Sequence, residues 1–171
     1  MTVATTRPGG ADEAHALIAI ERRAAQRLIG HEAYPLFSTL TLPVDAVVQA
    51  AHAARLWVAD VDGTPVGFAL YGALDGQAHL LEMDVDPAFG RRGIGRALLE
   101  AVCDAARSEG FPAIVLTTLA DVPWNAPFYA RAGFVEWPPE HWGDGMREVI
   151  AQERRLGFPM QLRVAMRRAL A

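Results

Sequence analysis

Only one cysteine, Cys103, occurs in the 171 residues, so no internal disulfide can form. Serine is almost as scarce. Ser38 and Ser108 are the only two, and neither lies in a G-x-S-x-G elbow, which disfavours serine hydrolysis. The five histidines show no H-x-x-x-H spacing, so no metal centre is expected. The apolar runs are short and interrupted, so no transmembrane helix and no membrane partner are expected. Residues 1–12 lack a basic patch followed by an apolar stretch, so no secretory leader is expected. With the lone cysteine, this points to a reducing, cytoplasmic compartment. A net charge of −4 argues against a nucleic-acid binder that works by bulk electrostatics, and it suits cationic partners better than anionic ones. No internal repeat, low-complexity tract or linker breaks the chain. Its length fits one domain over residues 1–171, which can bury roughly 70% of its unfolded surface without covalent staples.

What is present is a regular alternation of patterns. Residues 2–6 are β-prone. Residues 12–29 carry a helical pattern through Ala14, Leu17, Ile18, Arg22, Ala25 and Leu28, with Asp12 as N-cap and Gly30 as stop. A looser segment with Tyr34 and Phe37 follows, and Pro43 opens a helix to about residue 53. Strands are expected over 55–61, 65–73 and 77–85, joined by Asp62-Gly63 and Asp75-Gly76 turns. Then come a helix over 93–109, a strand over 113–118, a short helix over 124–131, a strand over 134–136, a helix over 144–156 and a last strand over 161–168. Hairpin-linked strands followed by alternating helices and strands imply an α+β fold, with a mixed, mostly antiparallel twisted sheet and helices on both faces. The last strand leaves open pairing across a homodimer.

One segment carries chemistry. After the strand over 77–85, Pro87 stops the hydrogen-bond ladder and the chain reads Gly90-Arg91-Arg92-Gly93-Ile94-Gly95-Arg96. Gly93 and Gly95 allow close backbone approach and positive φ. The following helix has an apolar stripe at Ile94, Ala97, Leu98, Ala101, Val102 and Ala105, and Gly110 closes it. Its first amides have no intrahelical partner, and they sit at the positive end of the helix dipole, so they form an anion site. Arg91, Arg92 and Arg96 add charge there. A P-loop fails, because Arg96 and Ala97 stand where lysine and a hydroxyl are required. A dinucleotide fingerprint is disfavoured, because Leu98 holds the third glycine position and antiparallel hairpins precede the turn. The plain alternative is a tight glycine turn with surface arginines.

Gly93-Ile94-Gly95 after a strand resembles the [QR]-x-x-G-x-[GA] coenzyme A turn of the GNAT acetyltransferases. Gly90 departs from it, since that family usually has arginine or glutamine there; Arg91 or Arg92 would then supply the donor. Downstream, Phe128-Tyr129-Ala130-Arg131-Ala132-Gly133-Phe134 resembles the family's F-Y-x-x-x-G-F segment. The two matches cover residues 80–134. The family's N-x-x-A-x-x-F-Y pattern is not kept, since Val122 replaces its asparagine and Asn125 its alanine. Asn125 is therefore either a coenzyme ligand or a cap of the short helix.

The resemblance implies acetyl-CoA as cosubstrate and an amine, small or on a peptide or protein, as acceptor. It implies direct attack on the thioester with no acyl-enzyme and no metal. A free alkylamine has a pKa near ~10.4, so a base must take its proton. Glu82 is the candidate, with Asp84 on the same strand face as its backup; a salt-bridged sheet glutamate is the alternative. A backbone amide within Met83, Asp84 and Val85 would meet the oxyanion. Tyr129 would protonate the departing thiolate, unless it is only a packed aromatic. The expected coenzyme ligands are thus Met83, Asp84, Val85, Arg91, Arg92, Gly93, Ile94, Gly95, Arg96 and Asn125. A catalytically silent acyl-CoA-binding regulator is the competing function. An interaction module would leave the glycine-arginine turn unexplained. Trp142, Tyr34 and Phe37 are candidates to wall the acceptor pocket.

Overall fold

Two Asp-Gly pairs organise the first half of the chain. Asp62 and Gly63 have φ of +51° and +81°, and Asp75 and Gly76 have +50° and +75°. Positive φ at both central residues is the type I′ turn, whose twist matches that of paired strands. In the computed structural model, which describes residues 3–171, these turns join β2 (Leu56–Val61), β3 (Thr64–Leu74) and β4 (Gln77–Val85). Before them lie β1 (Thr5–Pro8), α1 (Ala14–Ala25), α2 (Tyr34–Phe37) and α3 (Val44–His52). After them come α4 (Ile94–Ser108), β5 (Ala113–Leu119), α5 (Ala126–Arg131), β6 (Val135–Glu136), α6 (Asp144–Leu156) and β7 (Arg163–Ala169). The seven strands run in the order β1-β2-β3-β4-β5-β7-β6. β4 and β5 pair in parallel through Ala78↔Ile114 and His79↔Val115, whereas β1–β2, β2–β3, β5–β7 and β6–β7 are antiparallel. This is the mixed, mostly antiparallel α+β architecture that the patterning implies.

The chain forms two compact units. The first comprises residues up to Gly72 and Leu80–Ala105, and the second Ala73–His79 and Ala106–Ala171. The core of the first unit joins Leu17, Ile18 and Ile20 of α1, Val47 of α3, Leu56 and Val58 of β2, and Phe68 and Leu70 of β3. Each such side chain contributes about 1.5–3 kcal/mol when fully buried. In the second unit Val115, Trp137, Met146 and Ala165 are buried together, with Trp142 and Val149 packed against them. Asp75 works there at a distance in sequence. Its carboxylate accepts from the amides of Gly145 (2.8 Å) and Met146 (2.9 Å) and so caps α6, whose own N-cap, Gly143, has no side chain to do so. A Cβ on Gly143 would lie 2.6 Å from Asp75, so glycine is required for this contact.

Several expectations need correction. Asp12 is not the N-cap of α1; it lies inside a short 3-10 turn, Ala11–Glu13, whose Glu13 carboxylate accepts from the Gly10 amide at 2.8 Å. The helix over 12–29 is split, with Gln26–Leu28 wound as a 3-10 turn before Gly30 at φ +91°. Arg22 is exposed and Glu21 takes its place on the buried face of α1. The first strand starts at Thr5, and the expected position Thr2 lies outside the described residues. The short helix begins at Ala126 rather than 124. The last strand begins at Arg163, because Met160–Leu162 forms a 3-10 turn. On α4 the buried stripe is Ile94, Leu98, Leu99, Val102, Cys103 and Ala106, while Ala97 is exposed. Alanine fits either face, so it let the periodicity slip by one residue.

Candidate active site

The glycine-arginine turn is built in the first unit. Asp86 ends β4 by donating its amide to the Val66 carbonyl (2.8 Å), and its Oδ1 accepts from the Ala88 amide (3.0 Å) to start the 3-10 turn Pro87–Phe89. Its Oδ2 pairs with Arg23 of α1 at 2.8 Å. Gly90 is extended, Arg91 takes a left-handed φ of +60°, and Gly93 has φ +76°. The Gly93 carbonyl then accepts from Ala97 (3.0 Å), the first bond of α4. The first amides of a helix precede its first intrahelical bond and lie at the positive end of its dipole, so this turn leads into an end that suits an anion.

Positive φ therefore belongs to Gly93 and to the non-glycine Arg91, not to Gly95, which lies in the first turn of α4. Left-handed backbone costs a non-glycine residue about 1–2 kcal/mol, a strain that functional turns retain. The three arginines do not behave alike. Arg91 is exposed, the Arg92 guanidinium stacks 5.1 Å from the Phe89 ring centre, and Arg96 pairs with Glu100 at 3.0 Å. Arg27, beyond α1, is held below its ordinary range by burial and then by the positive charge of Arg91, with Asp84 acting the other way. Sequence reading did not associate Arg27 with the turn.

The candidate bases lie at the end of β4 in the same unit. Glu82, Met83, Asp84 and Val85 are all half-buried. Asp84 shares a hydrogen bond with Glu82, and burial, followed by the charge of Glu21, pushes its carboxyl up to about 7. That bond and Arg27 oppose the shift. The Asp84 Oδ2 atom is enclosed and has no hydrogen-bond partner. Gly67 of β3 lets this end of β4 come close. A Cβ there would sit 3.0 Å from the Asp84 carbonyl and 3.2 Å from Leu98. Gly67→Ala must push β4 aside, so it is expected to cost about 1–3 kcal/mol in urea unfolding and to lower turnover.

Glu21 was missed in the sequence. It is 9% exposed, and both of its carboxylate oxygens accept from the Leu42 amide, at 3.1 and 3.0 Å. The signal was legible: position 21 follows Leu17 and Ile18 by four and three residues, so a carboxylate stood on an apolar stripe.

Tyr129 belongs to the second unit. It is 7% exposed, and its ring meets Phe128 and Phe134 edge-on at 5.2 and 5.5 Å. The Phe134 amide reaches back to the Tyr129 carbonyl across Gly133, at φ +90°, which fixes the end of α5. Asn125 occupies the N-cap position of α5 but makes no side-chain capping bond, so the cap interpretation fails. Val122, at the family's asparagine position, is a core residue at 3% exposure. Trp142 packs in the second unit's core and donates Nε1 to the Trp137 carbonyl (2.8 Å), a structural engagement that the pocket-wall reading did not anticipate.

The sequence model of the acetyltransferase (GNAT) family matches residues 15–134, and the chain belongs to that family. Its fold is similar to that of the PaiA N-acetyltransferase of Thermoplasma acidophilum, solved in complex with coenzyme A (TM-score 0.69, 17% identity, 98% of this chain and 99% of the other). It is also similar to the ribosomal-protein-S18-alanine N-acetyltransferase of Escherichia coli (TM-score 0.68, 18% identity, 99% and 95%). A third similar structure is the N-acetylglutamate synthase of Neisseria gonorrhoeae, complexed with coenzyme A and N-acetyl-glutamate. There the TM-score is 0.75 at 16% identity, and this chain is matched over 100% of its length to 36% of the synthase.

Proposed function

We propose that the chain is an N-acetyltransferase over residues 1–171 that moves an acetyl group from acetyl-CoA directly to an amine. One observation carries this reading. Within the first unit, the strand bearing Glu82 and Asp84 runs straight into a turn that leads to the N-terminus of α4, with Arg91 and Arg92 beside it. Pyrophosphate suits those donors.

The amine nitrogen attacks the thioester carbonyl, a C–N bond forms, and the amine proton passes to the Glu82–Asp84 pair. A backbone amide within Met83, Asp84 and Val85 meets the oxyanion. The C–S bond then breaks, and Tyr129 protonates the coenzyme thiolate; this role rests on the family's F-Y-x-x-x-G-F motif. Asn125, whose side chain does not cap α5, is assigned to the coenzyme.

The test is coenzyme A release from acetyl-CoA over a panel of amines, with binding of desulfo-CoA measured alongside. All sixteen basic residues are arginine, so no lysine of the chain itself competes as acceptor. Turnover with an amine supports the reading. Coenzyme binding without turnover of any amine replaces it with the acyl-CoA-binding regulator.

Gly90 gives a second check. Its φ of −62° suits any residue, and a Cβ would sit 3.4 Å from the Pro87 carbonyl, at ordinary contact distance. Gly90→Arg, which restores the family's usual residue, is expected to tighten coenzyme A binding about 5-fold, or ~1 kcal/mol, by calorimetry.

A further inference from the structure

Glu21 has no assigned role, yet it is buried on α1 with a fixed orientation. The Leu42 amide lies 3.1 and 3.0 Å from its two oxygens, so the carboxylate cannot swing to solvent without leaving that donor unpaired. The Arg23–Asp86 pair, at 2.8 Å, ties the same helix to the end of β4. Glu21 on this helix and the hydrogen-bonded Glu82 and Asp84 on β4 lie within electrostatic reach of one another in the first unit. The charge of Glu82 acts on Glu21, with Arg22 and the Leu42 amide as its favourable neighbours. Asp84 hydrogen-bonds with Glu82, is acted on by the charge of Glu21, and has Arg27 as its nearby cation.

Two carboxyls joined by a hydrogen bond must share a proton, and that proton belongs to the pair rather than to either residue. An enclosed oxygen with no partner, such as Asp84 Oδ2, is tolerated far better on a neutral carboxyl than on an anion. The cluster is not disposed as a metal site: among the described residues, no group of three His, Cys, Asp or Glu side chains could hold a metal ion.

We propose that Glu21 is a positioning residue for the acyl transfer: anchored on the Leu42 amide, it sets the charge beside the Glu82–Asp84 pair and so governs when that pair can take the proton of an incoming amine. Burial, followed by the charge of Glu82, pushes Glu21 itself up to about 7, against the Leu42 amide and Arg22. Asp84 is pushed to about the same value by burial and then by Glu21. The proton demand of the cluster thus falls at neutral pH, where a base works best. This inference rests on the acyl-transfer reading, and its test separates the two.

Glu21→Gln keeps the side-chain shape and an oxygen for the Leu42 amide but removes the charge. A like charge removed makes the pair easier to deprotonate. The acid limb of kcat/KM against pH is therefore expected to move down by about one pH unit, with coenzyme A affinity unchanged. Glu21→Asp, which keeps the charge, is expected to bring the limb back toward the wild-type position. A limb that stays in place in Glu21→Gln overturns the proposal, since a purely structural glutamate would alter stability alone.

Carboxyl-carbon NMR titration of the wild-type protein without substrates gives the independent readout. Glu21 and Asp84 are expected to titrate as a coupled set, each carbon sensing the other's midpoint. Independent single-step curves overturn the proposal whether or not the variant folds. If no amine is turned over but the coupled titration is found, the acyl-transfer reading fails while the coupling survives.

Discussion

Tyr129→Phe is expected to lower kcat about 100-fold near neutral pH while leaving the affinity for coenzyme A unchanged. A positioned general acid contributes ~10²–10⁴-fold, and the lower figure suits a leaving group that is already a modest base. The departing thiolate should have a pKa near ~8.5, so its need for a proton fades as the medium becomes more alkaline. The defect should therefore shrink above about pH 9, which a hole left by a lost packing group would not do. The phenyl ring keeps the edge-on contacts with Phe128 and Phe134. The loss of a hydroxyl should cost only about 1 kcal/mol of stability. Thiol release measured from pH 6 to 10, beside thermal unfolding, checks both parts. A variant within 3-fold of wild type at pH 7 would remove Tyr129 from the reaction.

Element order and most boundaries were legible because the signals are local. Asp-Gly turns, Gly93 before α4, and Gly110 and Gly157 past the ends of helices all act through their own backbone. What was not legible depends on residues far apart in the chain. The Asp75 cap of α6 spans 70 positions, so Gly143-Asp144-Gly145 reads as a weak helix start until the β3–β4 turn is placed beside it. On α1, Arg22 was placed on the buried face because a long side chain fits a periodic template, and Glu21 was passed over because carboxylates are rarely buried. The glycine-arginine turn was legible as a motif, but its strain was not. The sequence pointed to positive φ at glycines, while the chain also puts Arg91 in the left-handed region. The tension at Gly90 resolves differently from the sequence reading. The backbone there admits an arginine, so the missing side chain is a substitution that the fold tolerates rather than one that it requires.

Glu153→Ala is expected to destabilise the protein by about 3–5 kcal/mol, because it strands a buried guanidinium. Glu153 on α6 and Arg163 on β7 form an ion pair at 2.7 Å, with side-chain exposures of 10% and 8%. A second bond, from Arg163 Nε, is 3.1 Å long. Thr117 of β5 closes the set: its hydroxyl donates to Glu153 at 2.6 Å and accepts from Arg163 at 3.0 Å. Arg163 also stacks 4.8 Å from the Phe158 ring centre, so it has no route to water that keeps its packing. For a chain of this size each kcal/mol shifts Tm by about 2–4 °C, so the midpoint should fall by about 10 °C. His79, in the same unit, adds a pH signature. Burial pushes it down to about 4, with Glu153 the opposing influence. The folded state therefore holds fewer protons than the unfolded chain between about pH 4 and 6.5, so this contribution is present above ~6.5 and is lost as pH falls toward 4. Removing Glu153 takes away the group that holds His79 up, so acid unfolding should begin at higher pH in Glu153→Ala. Glu153→Met combined with Arg163→Met should recover most of the loss, because apolar residues of similar volume fill the site without an unpaired charge. If the single and double variants unfold at the same temperature, the pair is a packing contact and its charges contribute nothing.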